Sequence, residues 1–178
     1  MLQYIKIPKD RVAVLIGSNG ETKKIIEKKM NSILNIDSNN GVVEIKEGKD
    51  PLSYIKGIDV IKAISRGFSP QKAYVLFDNE DTLLEIIDLS NIIKNRNEII
   101  RIKGRIIGKN GRTREIAEEL INCKISIYGK TISIIGNPEQ NNIIKIMIQM
   151  FINGVNHSII YRFLEKKHRE LTKKIYDI

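Results

Sequence analysis

The sequence predicts an α+β protein built from two copies of one β-α-α-β-β-α unit, with a helical extension at the C-terminal end. Three observations carry this. Val14-Leu15-Ile16-Gly17-Ser18-Asn19-Gly20 recurs 91 residues later as Arg105-Ile106-Ile107-Gly108-Lys109-Asn110-Gly111. Each copy is preceded by apolar residues and opens an amphipathic, basic helix. Short alternating stretches, bounded by turn residues, read as strands on either side of these helices. A chain of 178 residues has room for two small domains, expected at residues 1–80, including a connecting segment, and 81–178.

The elements follow in order. Leu2 to Ile7 alternates partially and reads as a strand, ended by Pro8. Arg11 to Ile16 is a short helix stopped by Gly17. Glu21 to Met30 places Ile25, Ile26 and Met30 on one face and most of Lys23, Lys24, Lys28 and Lys29 elsewhere. Ile33 to Asp37 and Val42 to Lys46 are strands joined by the turn Ser38-Asn39-Asn40-Gly41. Asp50-Pro51 reads as an N-cap and N1 proline, opening a helix to about Ser65. Phe68 to Asp81 is a bridge with a short helix after Pro70.

The second unit starts with a strand over Leu84 to Leu89 and an extended helix within Asn91 to Ile107. Thr113 to Ile121 is the helix after the second loop, with Ile116, Ala117, Leu120 and Ile121 facing inward. Lys124 to Tyr128 and Thr131 to Ile135 pair across Gly129-Lys130. Pro138 starts an apolar helix ending near Gly154, whose Met147, Met150 and Phe151 are expected in the core. A final helix begins near Ser158 and ends basic. No flexible linker separates the units, so they are expected to pack together.

Charge sharpens the picture. Thirty Lys and Arg against 21 Asp and Glu give a formal charge of +9, which favours a polyanionic partner. The charge gathers at the loops. Lys9, Arg11, Lys23 and Lys24 flank the first; Lys103, Arg105, Lys109, Arg112 and Arg114 flank the second. Glycine lets a main chain approach a ligand closely and adopt positive φ. The free amides and positive end of the following helix favour phosphate. In KH modules such a loop clamps about four nucleotides by their backbone. The element order, with the glycine loop between the first two helices, is also the KH arrangement. The expected fold is therefore two packed type I KH domains.

Residues Arg101-Ile102-Lys103-Gly104-Arg105-Ile106-Ile107-Gly108-Lys109-Asn110-Gly111-Arg112-Thr113-Arg114 add a family likeness. So do Ile125 to Thr131, Gly154 to Glu165, Ile5 to Arg11, and Gly67-Phe68-Ser69-Pro70. With these motifs the chain resembles the archaeal form of the two-KH small-subunit ribosome assembly factors, the partner-of-Nob or Dim-two family. The resemblance implies single-stranded RNA as ligand, namely the 3′ region of small-subunit rRNA. It implies work on the pre-small-subunit particle beside a PIN-domain endonuclease of the Nob type, guiding or restraining that nuclease rather than cutting. It maps RNA contacts onto Gly108 to Gly111, with Arg105, Arg112 and Arg114 nearby. Relatives in eukaryotes often lose the first loop, whereas Gly17 and Gly20 are present here.

The expected RNA-binding set is Gly17, Ser18, Asn19, Gly20, Lys23 and Lys24 in the first unit. In the second it is Arg105, Ile107, Gly108, Lys109, Asn110, Gly111, Arg112, Thr113 and Arg114. Ser18-Asn19 contains no lysine, so the first loop is expected to bind RNA more weakly or to serve protein docking. A plain helix-to-helix turn is the competing reading of Gly17 and Gly20. Asn19 and Asn110 are read as turn-setting residues that tolerate αL geometry. Ile16 and Ile107 fit either a groove wall or burial against the sheet. With no Trp and few aromatics, base stacking on an aromatic platform is not expected.

No catalytic residue, metal site or cofactor is expected. His157 and His168 lack ligand-type partners at metal spacing, and His157 is read as a capping and packing residue. Cys123, the only cysteine, is read as a small buried residue in a reducing cytoplasm. Asp78-Asn79-Glu80-Asp81 is read as a solvated loop with Asp81 capping a helix. No apolar stretch reaches the roughly 18 residues of a membrane span, and the first residues do not read as a signal peptide. Two other functions stay open: a scaffold with one KH unit on RNA and the other on a protein, and an exosome-like RNA-decay subunit.

Overall fold

The computed structural model describes residues 2–46, 48 and 50–176. The chain divides into two compact units, Met1–Glu80 and Asp81–Ile178. Unit 1 runs β1 (Leu2–Lys6), α1 (Lys9–Ile16), α2 (Glu21–Met30), β2 (Ile33–Asp37), β3 (Val42–Lys46) and α3 (Pro51–Ser65). Two short helices follow, α4 (Pro70–Ala73) and α5 (Val75–Asp78). Unit 2 runs β4 (Leu83–Asp88), α6 (Arg96–Ile107), α7 (Arg112–Ile121), β5 (Lys124–Tyr128), β6 (Thr131–Gly136) and α8 (Pro138–Ile152). A 20-residue α9 (His157–Tyr176) completes the chain.

Each unit has one antiparallel sheet with its last strand in the middle: β1-β3-β2 and β4-β6-β5. In unit 1, Tyr4 and Asn35 both face Glu44 across the ladders. In unit 2, Ile86 and Ser126 both face Ser133. This is the β-α-α-β-β-α topology expected of two type I KH folds. The cores form where the helices cover one face of each sheet. Leu15, Ile26, Met30, Leu34, Ile45, Ile61, Ile64 and Phe68 are buried in unit 1. Ile102, Ile106, Ala117, Ile121, Ile134, Ile144, Met147 and Phe151 are buried in unit 2, joined by Ile160 and Leu164 of α9. Each of these Leu, Ile, Met and Phe side chains contributes about 1.5–3 kcal/mol relative to exposure.

Local chemistry sets the boundaries. Asp50 caps α3 by accepting from the Leu52 and Ser53 amides, with Pro51 at N1. Asn137 and Gln140 form a capping box on α8. Asn95 accepts from the Asn97 and Glu98 amides, so α6 starts at Arg96; residues 89–91 form only a 3₁₀ turn. The extended helix expected from Asn91 is thereby shortened. The bridge after Pro70 is two short helices rather than one. Asp81 lies in a turn ahead of β4 and caps no helix; the capping aspartate of this region is Asp88, which accepts from the Ser90 amide.

A candidate nucleic-acid interface in two copies

The glycine loops are near-identical in backbone. Gly17 and Gly108 have φ of 75° and 74°, Asn19 and Asn110 of 52° and 54°, Gly20 and Gly111 of 75° and 76°. Asparagine therefore sets the αL residue of each turn, as its short polar side chain allows. The Gly20 and Gly111 amides bond the Gly17 and Gly108 carbonyls, each at 3.2 Å. Neither α2 nor α7 has a side-chain cap, in contrast to α3, α6 and α8. The helix N-terminus behind each glycine loop is thus left without a side-chain cap, as is that of α1. Open first-turn amides at the positive end of a helix are the elements of an anion seat.

The first glycine of each loop is fixed by contact. A Cβ on Gly17 would lie 2.3 Å from Thr22 Oγ1, and one on Gly108 would lie 2.2 Å from Thr113 Oγ1. Each threonine is in turn held by a tyrosine. Tyr161 Oη lies 2.8 Å from Thr113 Oγ1, and Tyr74 hydrogen-bonds Thr22. The two threonines are 91 residues apart and the two tyrosines 87, because unit 2 has the shorter hairpin turn and following connection. Glu27 Oε1 accepts from the Leu34 amide, and its counterpart Glu118 Oε1 accepts from the Ile125 amide, both at 2.8 Å. The same carboxylates pair with the basic residue one turn back: Lys23 with Glu27 at 3.8 Å, Arg114 with Glu118 at 3.9 Å. The helix behind each loop is thereby tied to the edge strand beside it.

An arginine clamp is also duplicated. Arg105 donates through Nη2 to the Val155 carbonyl at 2.6 Å and through Nη1 to Phe151 O at 3.4 Å, with its guanidinium 5.4 Å from the Phe151 ring centre. Arg11 donates to Ile64 O and Phe68 O, both at 2.8 Å. Ile64 and Phe68 occupy in unit 1 the places of Phe151 and Val155, 87 residues on. The clamp keeps its targets while its arginine shifts by one helical turn, since Val14 occupies the place of Arg105. These bonds close the carbonyl end of the last helix of each motif, where orphan acceptors collect.

These contacts sort the residues expected at the interface. Ser18, Asn19, Lys109, Asn110 and Arg112 are exposed on the loops. Lys24 is exposed and, with Ser18, Asn19, Glu21, Ile25 and Lys28, lines an open depression of about 600 Å³ beside the first loop. Lys28 and Ile25 belong to this surface and were not in the expected set. Ile16 and Ile107 are half-buried, consistent with a groove wall. Arg112 makes a 3.8 Å contact with Glu115 at the surface, which holds it only weakly. Arg114 lies beside the loop, its Nη2 3.7 Å from where a Gly111 Cβ would stand. Its buried Nε has no hydrogen-bond partner.

Two expected contacts point elsewhere. Thr113 is 2% exposed and braces the loop from beneath. Arg105 is engaged inside the protein. Lys103, expected to flank the second loop, donates to the Gly129 carbonyl in the hairpin turn. Replacing Arg105 by Met should therefore lower the stability of unit 2 by about 2 kcal/mol, the scale of charged hydrogen bonds. RNA affinity, measured where both proteins are folded, should be unchanged. Lost affinity at unchanged stability would return Arg105 to the RNA face.

Other titratable groups fit packing roles. His157 Nε2 lies 3.0 Å from Arg105 O, its ring between those of Phe151 and Tyr161. His168 Nδ1 lies 2.8 Å from Leu120 O. Burial, with help from Glu118, pushes the Cys123 thiol up to about 12, so it carries no thiolate near neutral pH. Among the described residues no cluster of His, Cys, Asp or Glu is arranged to hold a metal, and no helix is long and apolar enough to cross a membrane.

Fold and loops together define a tandem type I KH protein. A family model described as "Eukaryotic type KH-domain (KH-domain type I)", for the second KH domain of PNO1, matches residues 83–169. A KH domain-containing protein of Methanocaldococcus jannaschii is 39% identical over 180 residues, covering 99% of this chain and 78% of that protein. Dim2p from Pyrococcus horikoshii OT3 is 48% identical, with a TM-score of 0.86 over 93% of this chain and 99% of that one. The a/eIF2alpha–aDim2p–rRNA complex from the same organism contains a chain 48% identical, with a TM-score of 0.88 over 96% and 95%. A protein of unknown function from Aeropyrum pernix is 35% identical, with a TM-score of 0.89 over 99% and 95%. The chain belongs to the Dim-two, or partner-of-Nob, family of KH proteins.

Proposed function

We propose that this protein binds single-stranded RNA, the 3′ region of small-subunit rRNA, during small-subunit assembly and rRNA 3′-end maturation. The observation that carries the reading is the pair of uncapped helix N-termini behind superposable glycine loops. The rRNA found with aDim2p, 48% identical to this chain, supports the choice of RNA. Phosphates sit over each loop, against the first-turn amides of α2 and α7. Lys109, Arg112 and Arg114 serve the second seat; Lys23, Lys24 and Lys28 serve the first. Three or four bases lie in the adjoining groove, walled by Ile16 and Ile25 or by Ile107 and Ile116. Arg105 and Thr113 hold the second loop in shape rather than touching RNA.

The protein acts as a binding factor in the cytoplasm, without chemistry of its own. Within the pre-small-subunit particle it presents the rRNA end to a PIN-domain endonuclease of the Nob type. This partnership rests on the family likeness. Neither a scaffold with one KH unit on RNA and the other on a protein nor an RNA-decay subunit is favoured by the relatives.

Fluorescence anisotropy across several salt concentrations tests the reading, with an rRNA 3′-end oligonucleotide, a scrambled RNA and the matching DNA. Tighter binding of the rRNA end than of either control is expected. Equal, steeply salt-dependent binding of all three would reduce the protein to a general polyanion binder.

A further inference from the structure

One face of α9 is basic from Arg162 to Lys173. Arg162, Lys166, Arg169 and Lys173 are all exposed. At 3.6 residues per turn they fall within about 60° of one another around the helix axis. Ile160, Leu164 and Leu171 lie on the opposite side and face the unit 2 core. The four cations rise along about 16 Å, roughly one per turn.

Several cations elsewhere in unit 2 are matched by a carboxylate. Arg101 pairs with Glu98, Arg112 with Glu115, Lys145 with Glu85, Lys167 with Glu170 and Lys174 with Glu139. None of the four stripe residues has a described carboxylate within ion-pair distance. Glu165 and Glu170 flank the stripe on either side, and Glu170, the acid whose field Lys166 shares, is already held by Lys167 at 2.7 Å. Arg162 Nε reaches only the Ser158 carbonyl, at 3.4 Å.

The stripe is also anchored to the second loop. Tyr161 bonds Thr113 and His168 bonds Leu120, both across 48 residues. Helix α9 therefore runs parallel to α7 in fixed register, starting at the first turn behind the loop. Arg162 follows directly on Tyr161. A solvated helix face needs no such run of unmatched cations, and like charges one turn apart repel. A ligand with a negative charge every few ångströms relieves that repulsion along the whole run.

We infer that the exposed face of α9 is a second nucleic-acid contact, a track for the phosphates of RNA that continues past the nucleotides held at the second loop. The inference rests on the RNA-binding reading and extends its footprint. The track reads no sequence; it adds length-dependent, salt-sensitive affinity.

The test compares the full-length protein with a variant carrying Arg162→Gln, Lys166→Gln, Arg169→Gln and Lys173→Gln. All four positions are exposed, so the fold should persist, and circular dichroism checks it. Two RNAs from the rRNA 3′ end serve as probes, one of about four nucleotides, the length a KH loop clamps, and one of about sixteen. Wild type should bind the longer RNA more tightly, and the variant should lose that advantage while keeping its affinity for the short one. The salt slope on the longer RNA should fall by about 3, since each lost phosphate contact on a single strand removes about 0.7.

Unchanged affinity and slope on the longer RNA would overturn the track and leave the loop reading intact. Binding of the longer RNA alone, lost in the variant, would keep the track and overturn the loop seat. A polyglutamate peptide that binds wild type but not the variant, with RNA affinity unaltered, would overturn the track and assign the stripe to an acidic protein.

Discussion

Replacing Lys109 and Asn110 together by aspartate should reduce RNA affinity of the second unit about 100-fold and leave its melting temperature close to wild type. Both side chains are exposed, and neither makes an ion pair with a described residue. Asn110 sits at φ 54°, a conformation that aspartate also tolerates. The backbone is therefore not strained by the change. The electrostatics reverse completely. One cation leaves and two anions arrive directly before the open amides of α7, where a phosphate would otherwise sit. Loss of one or two charge-assisted bonds, at about 1.5–3 kcal/mol each, amounts to roughly a hundredfold at 1.4 kcal/mol per decade. The parallel variant, Ser18→Asp with Asn19→Asp, should cost less, because the first loop has no lysine to lose. Anisotropy on the folded proteins reads both. A folded Lys109→Asp, Asn110→Asp protein with wild-type affinity would rule out phosphate binding at this loop.

What the sequence made legible is the part repeated locally. The glycine loops, the amphipathic helices behind them and the strand alternation lie within stretches of about ten residues. Asn19 and Asn110 announce their own αL geometry, and Asp50-Pro51 its own cap. What stayed hidden depends on contacts between distant segments. Thr22 and Thr113 look like ordinary first-turn residues until Tyr74 and Tyr161 arrive from about fifty residues away. Arg105 looks like part of the basic flank of the second loop, because spacing places it there; only the fold reveals the Val155 carbonyl that claims it. A signal did exist. Phe68 and Val155, and Tyr74 and Tyr161, stand at one common offset of 87. Aligning the two halves beyond the loops, with the shorter hairpin allowed for, would have found the tyrosines. The arginine clamp escapes even that alignment, since its donor moves by one turn between copies while its acceptors do not.

The duplicated brace makes the two glycines of each loop unequal, and Gly108→Ala should be the more damaging change by a wide margin. Gly108 lies at φ 74°, ψ 176°, a region essentially closed to residues with a Cβ. Its added methyl would also stand 2.2 Å from Thr113 Oγ1 and 2.8 Å from Thr113 N. The threonine has nowhere to go: it is 2% exposed and its hydroxyl is bonded to Tyr161. Strain of about 1–3 kcal/mol and a disrupted hydrogen bond of about 1 kcal/mol combine to about 3 kcal/mol. For a unit of this size that lowers the melting temperature by roughly 10–20 °C. Gly111 is different. Its φ of 76° and ψ of 6° are αL, and the nearest atom to an added Cβ is the mobile end of Arg114, 3.7 Å away. Gly111→Ala should cost only about 1 kcal/mol. Thermal denaturation of the two single variants separates the cases. Equal losses would mean that positive φ alone sets the glycine requirement and that the contact with Thr113 yields freely. A larger loss at Gly108, partly recovered in a Thr113→Ala background, would show that the brace holding α9 to the loop is what reserves this position for glycine.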